Sequence, residues 1–192
     1  KHPNWKMGKK ISIDSATMIN KLYEVIEAKN IFNINYNKIK ILIHPKSYVH
    51  AILKFDNGLT KIIAHDTTMK IPIFNSLYSD SKKKLKTNKL NINVLNNLNF
   101  SEVDLKRFPM INLLDFLPTK QTLFETIIVS ANDTLVELFL ENKIKFIDIQ
   151  KNLFKIINNK KFFKFKKKFP KKIDDIVKLN NYVRLKTLEN SI

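Results

Sequence analysis

Cysteine is absent from the 192 residues, which excludes disulfides and thiolate metal sites and makes a reducing compartment the simpler assignment. Glycine is nearly absent too. Gly8 and Gly58 stand fifty residues apart and cannot build a glycine-rich nucleotide-binding turn. Arginine is limited to Arg107 and Arg184, although the chain carries a net charge of +18. Surfaces that read bases favour the planar guanidinium, and the lysines here travel with abundant asparagine and isoleucine, as a strongly AT-biased coding sequence would impose. The charge is therefore assigned to composition, and no nucleic-acid partner is expected. A basic nucleic-acid-binding module stays as an alternative, with the salt-sensitive affinity that lysine patches give. No apolar run is long enough to span a bilayer and no leader precedes the first motif, so no membrane partner is expected. A hydrophobic fraction of 44% and a length of 192 residues suffice for a packed interior. The chain opens on lysine without an initiating methionine, and it reads as truncated.

The patterning divides the chain. Lys10 to Ile13 reads as a short strand, and Asp14 and Ser15 as N-cap residues of a helix from Ala16 to about Lys29. Lys40 to Ile43, Val49 to Phe55 and Leu59 to Ala64 read as strands, the last two flanking the hairpin signal Asp56-Asn57-Gly58. From Ser79 to Asn99 the chain is polar and weakly periodic. Beyond it Phe108–Leu117, Lys120–Leu140, Ile147–Ile157 and Ile173–Leu188 place apolar residues three or four apart, and Lys160 to Lys172 reads as a solvated loop or frayed helix end. The expected fold is α+β: a partial α/β-type catalytic domain with one helix and about four strands, a linker, then a C-terminal helical bundle. The expected boundaries are 1–78, 79–104 and 105–192.

The chemistry is concentrated in the segment His2 to Glu27, HPNWKMGKKISIDSATMINKLYEVIE. Ser15 at a helix N-terminus would offer a hydroxyl beside free amides and a favourable dipole, with Asn20 and Lys21 following within two turns. These groups would make a phosphate cradle. Glu24 shares the helical face of Asn20 and Lys21, where a carboxylate could ligate a hard cation or accept substrate hydroxyls. Each residue also has a plainer role. A serine at that position caps, a Lys/Glu pair at that spacing is a surface ion pair, and a tryptophan is a buried anchor. His44 and His50 are expected to be structural, and His65 with Asp66 makes a poor metal pair because neighbours on a strand face opposite ways.

The string HPNWKMGKKISIDSATMINK resembles the signature of the 1-deoxy-D-xylulose 5-phosphate reductoisomerase family. The likeness continues through EVIEAKNIF, LIHPKSYVHAILKFDNG, MKIPI and VSANDTLVELFLENKIKFIDI. It implies an NADP-dependent oxidoreductase and isomerase of isoprenoid precursor synthesis, turning 1-deoxy-D-xylulose 5-phosphate into 2-C-methyl-D-erythritol 4-phosphate. NADPH and a divalent metal (Mn2+, Mg2+ or Co2+) would be its cofactors. By resemblance His2, Ser15, Asn20 and Lys21 bind the sugar phosphate, and Glu24 touches both substrate and metal. Gly8 lies beside the nicotinamide cofactor, and Trp5 and Met7 belong to the loop that closes over the substrate. The resemblance further implies a homodimer when full length and a cytoplasmic setting, or a plastid-type organelle in a eukaryote.

The resemblance places the chain in the C-terminal part of such an enzyme, lacking the NADPH-binding domain and expected to be inactive alone. Three departures from the family pattern stand out. Leu22 replaces a glycine and is expected to crowd packing near the phosphate. Ala64 to Thr67 replaces a more acidic, proline-containing stretch, and Asp133 replaces a glutamate. A catalytically silent relative is the alternative within the family.

Overall fold

The structure is a computed structural model that describes residues 7–78, 82–89 and 91–191. His2 and Trp5 lie outside the described residues. The chain forms two compact units. One comprises Ile41–Val103, and the other joins Met7–Lys40 to Asp104–Ile192. The two opening helices thus group with the C-terminal helices.

In the second unit α1 (Lys9–Thr17) and α2 (Ile19–Phe32) precede a 3-10 stretch at Pro109–Phe116. The helices α5 (Phe124–Leu140), α6 (Phe146–Ile157), α7 (Lys160–Phe163) and α8 (Ile173–Ser191) then form the expected bundle. Helix α5 is its centre. Phe124, Ile127, Ile128, Ala131 and Leu135 are fully buried, and apolar residues surround the helix as they do in helices enclosed on most sides. They pack with Ile19 and Leu22 of α2, Met110 and Leu113 of the 3-10 stretch, Ile149 and Leu153 of α6, and Leu179 and Val183 of α8. Each such side chain contributes about 1.5–3 kcal/mol over leaving it in water. Leu22, in place of the family's glycine, is fully buried in this core. Just ahead of α5, the Thr122 amide and hydroxyl both donate to Glu125 Oε2 at 3.0 and 2.9 Å, and the Phe124 amide donates to the Thr122 hydroxyl at 3.1 Å. Glu125 thus reaches back to the Thr122 amide as in a Thr-x-x-Glu capping pattern, while the Thr122 hydroxyl takes the Phe124 amide in place of that of Glu125.

Two expectations need correction here. Phe108–Leu117 forms a 3-10 stretch instead of an α-helix, with Pro109 at its start. The basic stretch 160–172 is only partly solvated: α7 opens with the Asn159 side chain accepting from the Lys161 amide, and Phe162 is 3% exposed in the core.

The first unit holds β1 (Leu42–Ile43), β2 (Val49–Lys54), β3 (Thr60–Ala64), α3 (Lys70–Leu77), α4 (Ile92–Asn96) and β4 (Ser101–Glu102). β2 and β3 form an antiparallel hairpin with Lys54 opposite Thr60, and β1 pairs with β4. The hairpin turn is the expected one. The Gly58 amide donates to the Phe55 carbonyl at 3.0 Å, and Gly58 takes φ +86°, which an L side chain adopts only under strain. Ile52, Leu53, Ile62 and Ile63 on the hairpin are 40–50% exposed.

Candidate active site

The candidate segment folds differently from its sequence pattern. No strand forms at Lys10 to Ile13. Helix α1 begins after Gly8 and runs to Thr17, so Ser15 sits in its last turn and caps nothing. The alternation Ile11-Ser12-Ile13 suggests a strand, but a longer period prevails. Lys10, Asp14 and Thr17 recur at helical spacing, and Lys10 Nζ meets Asp14 Oδ2 at 2.8 Å. The Ser12 hydroxyl and amide both donate to the Gly8 carbonyl at 2.9 and 3.1 Å, closing the first turn. Ile13 packs against the core, and the Asp14 carboxylate is held from α5. Tertiary anchoring thus overrides a weak local preference for strand.

Helix α1 stops at Met18, whose backbone is left-handed at φ 61° and whose amide donates to the Ser15 carbonyl at 3.2 Å. Helix α2 starts at Ile19. The amide end with its favourable dipole therefore belongs to α2, and Asn20 and Lys21 occupy its first turn. Ser15 belongs to the last turn of the preceding helix, and its carbonyl takes part in the tight turn that joins the two.

Asn20, Lys21 and Glu24 are brought together. Lys21 Nζ donates to both Glu24 oxygens at 3.0 and 2.8 Å, and Asn20 Nδ2 approaches Oε1 at 3.4 Å. Asn20 Oδ1 is buried without a hydrogen-bond partner among the described residues. Lys21 and Glu24 keep side-chain exposures of 43% and 53%, so both remain accessible to a ligand. Gly8 has an ordinary extended backbone (φ −63°, ψ 165°), and a Cβ there would meet nothing within 4 Å. Met7 is half-buried.

Below this surface lies a polar cluster that the sequence pattern did not reveal. Asp14 is 3% exposed and Asn132, on α5, is fully buried. Asn132 Nδ2 donates to Asp14 Oδ1 at 2.9 Å, while Lys10 Nζ holds Asp14 Oδ2 at 2.8 Å and lies 3.0 Å from Asp133 Oδ1. Asp133, despite being shorter than glutamate, therefore reaches a cation. Burial works against the charge of Lys10, but its hydrogen bonds to Asp14 and Asp133 prevail and hold its pKa above the ordinary lysine value. The neighbouring Tyr23 phenol is pushed well above its usual range by burial and by the charges of Asp14 and Asp133, with Asn132 opposing.

The histidines lie elsewhere. His44 Nδ1 is 3.0 Å from the Asn99 carbonyl and its ring tilts against Phe100, a packing role. His50 and His65 stack across the hairpin with centroids 3.6 Å apart, and His50 is exposed instead of enclosed by its apolar neighbours. No group of three or more histidine, aspartate or glutamate residues that could hold a metal ion occurs among the described residues. Glu24 would supply one ligand of the several a hard cation needs, so these residues do not by themselves fit a metal. No helix among the described residues is long and apolar enough to cross a membrane.

Comparison with known proteins adds a second line. Residues 66–186, more than half of the chain, match the family described as DXP reductoisomerase C-terminal domain. Residues 1–32 match the one described as 1-deoxy-D-xylulose 5-phosphate reductoisomerase C-terminal domain. The 1-deoxy-D-xylulose 5-phosphate reductoisomerase of Pelagibacter ubique is 60% identical over 192 residues, covering 100% of this chain and 50% of the relative. That of Persephonella marina is 38% identical over 92% of this chain and 46% of its own length. A crystal structure of DOX-P reductoisomerase in complex with NADPH, fosmidomycin and magnesium superposes with a TM-score of 0.87 at 30% identity, covering 98% of this chain and 47% of that one. The Zymomonas mobilis enzyme in complex with NADPH gives 0.80 at 28% identity, covering 95% and 47%. The chain spans about half the length of the curated relatives it matches.

Proposed function

Because this chain belongs to the 1-deoxy-D-xylulose 5-phosphate reductoisomerase family, we propose that it forms the phosphate-binding side and the helical domain of an enzyme of that activity. The reaction is the rearrangement of 1-deoxy-D-xylulose 5-phosphate and its reduction by NADPH to 2-C-methyl-D-erythritol 4-phosphate. The observation that carries the reading is the convergence of Asn20, Lys21 and Glu24 on the first turns of α2, with the Asn20 amide group beside an accessible ammonium on Lys21.

The contribution of this chain is to bind and orient. Lys21 and the amide end of α2 attract the phosphate dianion, and the Asn20 amide and Ser15 hydroxyl fix its oxygens. Binding energy gathered at the phosphate, remote from the reacting carbons, holds the sugar in reacting geometry. Taking up phosphate releases Lys21 from Glu24 and leaves that carboxylate free for the substrate hydroxyls or a divalent cation. Magnesium and NADPH occur in the related crystal structure. The remaining ligands for both would come from the half of the relatives' length that this chain does not span. Gly8 fits a backbone position that a cofactor approaches closely, since the space on its Cβ side is open. His2, Trp5 and Met7 are assigned to the substrate and its closing loop.

As a functional division, residues 1–78 are the last part of the catalytic domain, 79–104 a linker and 105–192 the helical domain. The functional boundary then differs from the packing boundary, because α1 and α2 serve the catalytic domain while resting on α5. The exposed apolar hairpin β2–β3 supports a homodimer of the full-length chain, with its solution mass as the check.

The deciding experiment is turnover of the full-length protein with 1-deoxy-D-xylulose 5-phosphate, NADPH and Mg2+ or Mn2+, followed by loss of NADPH absorbance. Substrate-dependent oxidation is expected. A folded protein that binds the sugar phosphate without oxidising NADPH would be a silent relative, and the proposal would fall.

A further inference from the structure

A fully buried asparagine in the apolar centre of a helical bundle needs a reason. Asn132 lies midway along α5, between Ile128 and Leu135, which are themselves fully buried. A polar amide there is unfavourable unless it is used, and a leucine would fill the same volume at lower cost. Its Nδ2 is used across 118 residues of sequence, donating to Asp14 Oδ1 at 2.9 Å, while its Oδ1 has no hydrogen-bond partner among the described residues. Asp14 is equally committed. Its second oxygen takes Lys10 at 2.8 Å, and Lys10 also meets Asp133, the neighbour of Asn132. The four side chains form a closed brace between α1 and α5. Carboxylate, ammonium and amide all have directional demands, so the brace fixes the rotation of α1 about its axis as well as its distance from α5.

That rotation matters because Ser15 comes directly after Asp14 in the chain. The Ser15 carbonyl receives the Met18 amide at the left-handed turn that launches α2 with Asn20 and Lys21. A slip of α1 would redirect the Ser15 hydroxyl and the first turn of α2 together. Apolar packing of Ile19 and Leu22 anchors the far side of α2 but imposes no such angular register.

We propose that Asn132, through Asp14 and with Lys10 and Asp133, is a positioning residue by which the helical domain aims Ser15, Asn20 and Lys21 at the substrate phosphate. The inference rests on the functional reading above. It gives the helical domain a part in the reaction without contact to substrate.

The test uses the full-length protein and the variants Asn132→Leu, the exchange pair Asp14→Asn with Asn132→Asp, and Leu135→Ala as a control that loosens α5 without touching Asp14. Melting temperature, kcat, the KM values for sugar phosphate and NADPH, and amide hydrogen exchange over residues 9–24 are measured. Asn132→Leu, assayed well below its melting temperature, is expected to lose tenfold or more in kcat/KM for the sugar phosphate. Its KM for NADPH should stay within twofold, and exchange should quicken over 9–24. The exchange pair should recover most of the loss, and Leu135→Ala should lower the melting temperature alone. Sugar-phosphate kinetics within twofold of wild type in Asn132→Leu, or an equal kinetic loss in Leu135→Ala, overturns the proposal. If Asn132→Leu does not fold, Asn132→Gln, which displaces the amide by one methylene, is read by the same two criteria. A wild-type protein without turnover refutes the functional reading instead, and hydrogen exchange then decides alone: unchanged rates over 9–24 sink the brace, faster ones support it.

Discussion

Lys21 Nζ lies 2.8 Å from Glu24 Oε2, so the residue assigned to phosphate and the residue assigned to metal and substrate neutralise one another in this structure. Both are more than 40% exposed, and an exposed pair three residues apart on a helix contributes only about 0.2–0.5 kcal/mol. A phosphate dianion can displace the carboxylate at little cost. On the proposed reading the pair is a resting arrangement that phosphate binding would undo.

Separating the two charges should therefore separate binding from turnover. Lys21→Ala in the full-length enzyme removes a charged hydrogen bond of about 1.5–3 kcal/mol, which is roughly a 10- to 150-fold rise in KM for the sugar phosphate. Glu24→Gln leaves Lys21 available, so KM should change little while kcat falls about 100-fold or more. Steady-state kinetics of the two variants checks this, and a larger KM effect in Glu24→Gln would contradict it.

The two glycines should respond in opposite ways. Gly58→Ala forces a side chain into φ +86° and should destabilise the hairpin by about 1–2 kcal/mol, since strain and not crowding is at issue. Gly8→Ala meets no backbone strain or crowding, because its backbone is ordinary and the space is open, and should cost the fold only the small preference of the α1 N-cap for glycine over alanine. Its main effect should appear in the KM for NADPH, raised about tenfold, or roughly 1.4 kcal/mol. Thermal melts paired with NADPH titration distinguish the two.

Alkaline stability should carry the mark of two tyrosines. Burial and the charges of Asp14 and Asp133 push the Tyr23 phenol well above 10.0, and burial with the charge of Glu125 pushes Tyr36 to about 12. A raised phenol pKa means the folded state keeps a proton that the unfolded chain gives up from pH 10 upward. The stabilisation is complete below pH 10 and is lost as pH rises through the folded values. Melting temperature should fall between pH 10 and 12, and less steeply in Tyr23→Phe and Tyr36→Phe. An unchanged slope in both variants would contradict the assignment.

Thr122→Ala removes the hydroxyl that accepts from the Phe124 amide and donates to Glu125 ahead of α5. A loss of about 1 kcal/mol, in line with N-cap deletions, is expected in urea unfolding of the full-length protein. Because α5 is the centre of the bundle, the loss should appear in global unfolding and not only as fraying.

Much of the architecture was legible because its determinants are local. Asp56-Asn57-Gly58 predicts the hairpin through the left-handed conformation that glycine allows, and β2 and β3 end within a residue or so of the expected limits. Apolar spacing places α5, α6 and α8, since a helix buries residues three and four apart. The start of α1 was not legible. Ile11-Ser12-Ile13 alternates as a strand does, and the contact that tips it to helix, Asp14 to Asn132, lies 118 residues away. The same shift moved Ser15 from the head of one helix to the tail of another. Helix α3 at Lys70–Leu77 escaped as well, since Pro72 argues against a helix until it is seen in the first turn, where its missing amide is harmless.

The sequence by itself determined the family, the bundle periodicity, the hairpin turn and the grouping of Asn20, Lys21 and Glu24, all set by residues within a few positions of one another. Only the tertiary structure decided where the helix ahead of them begins, how Ser15 is presented, and why asparagine is tolerated at the centre of α5. Those outcomes depend on buried polar groups finding partners across the fold, and a pattern confined to neighbouring residues carries no trace of such pairing.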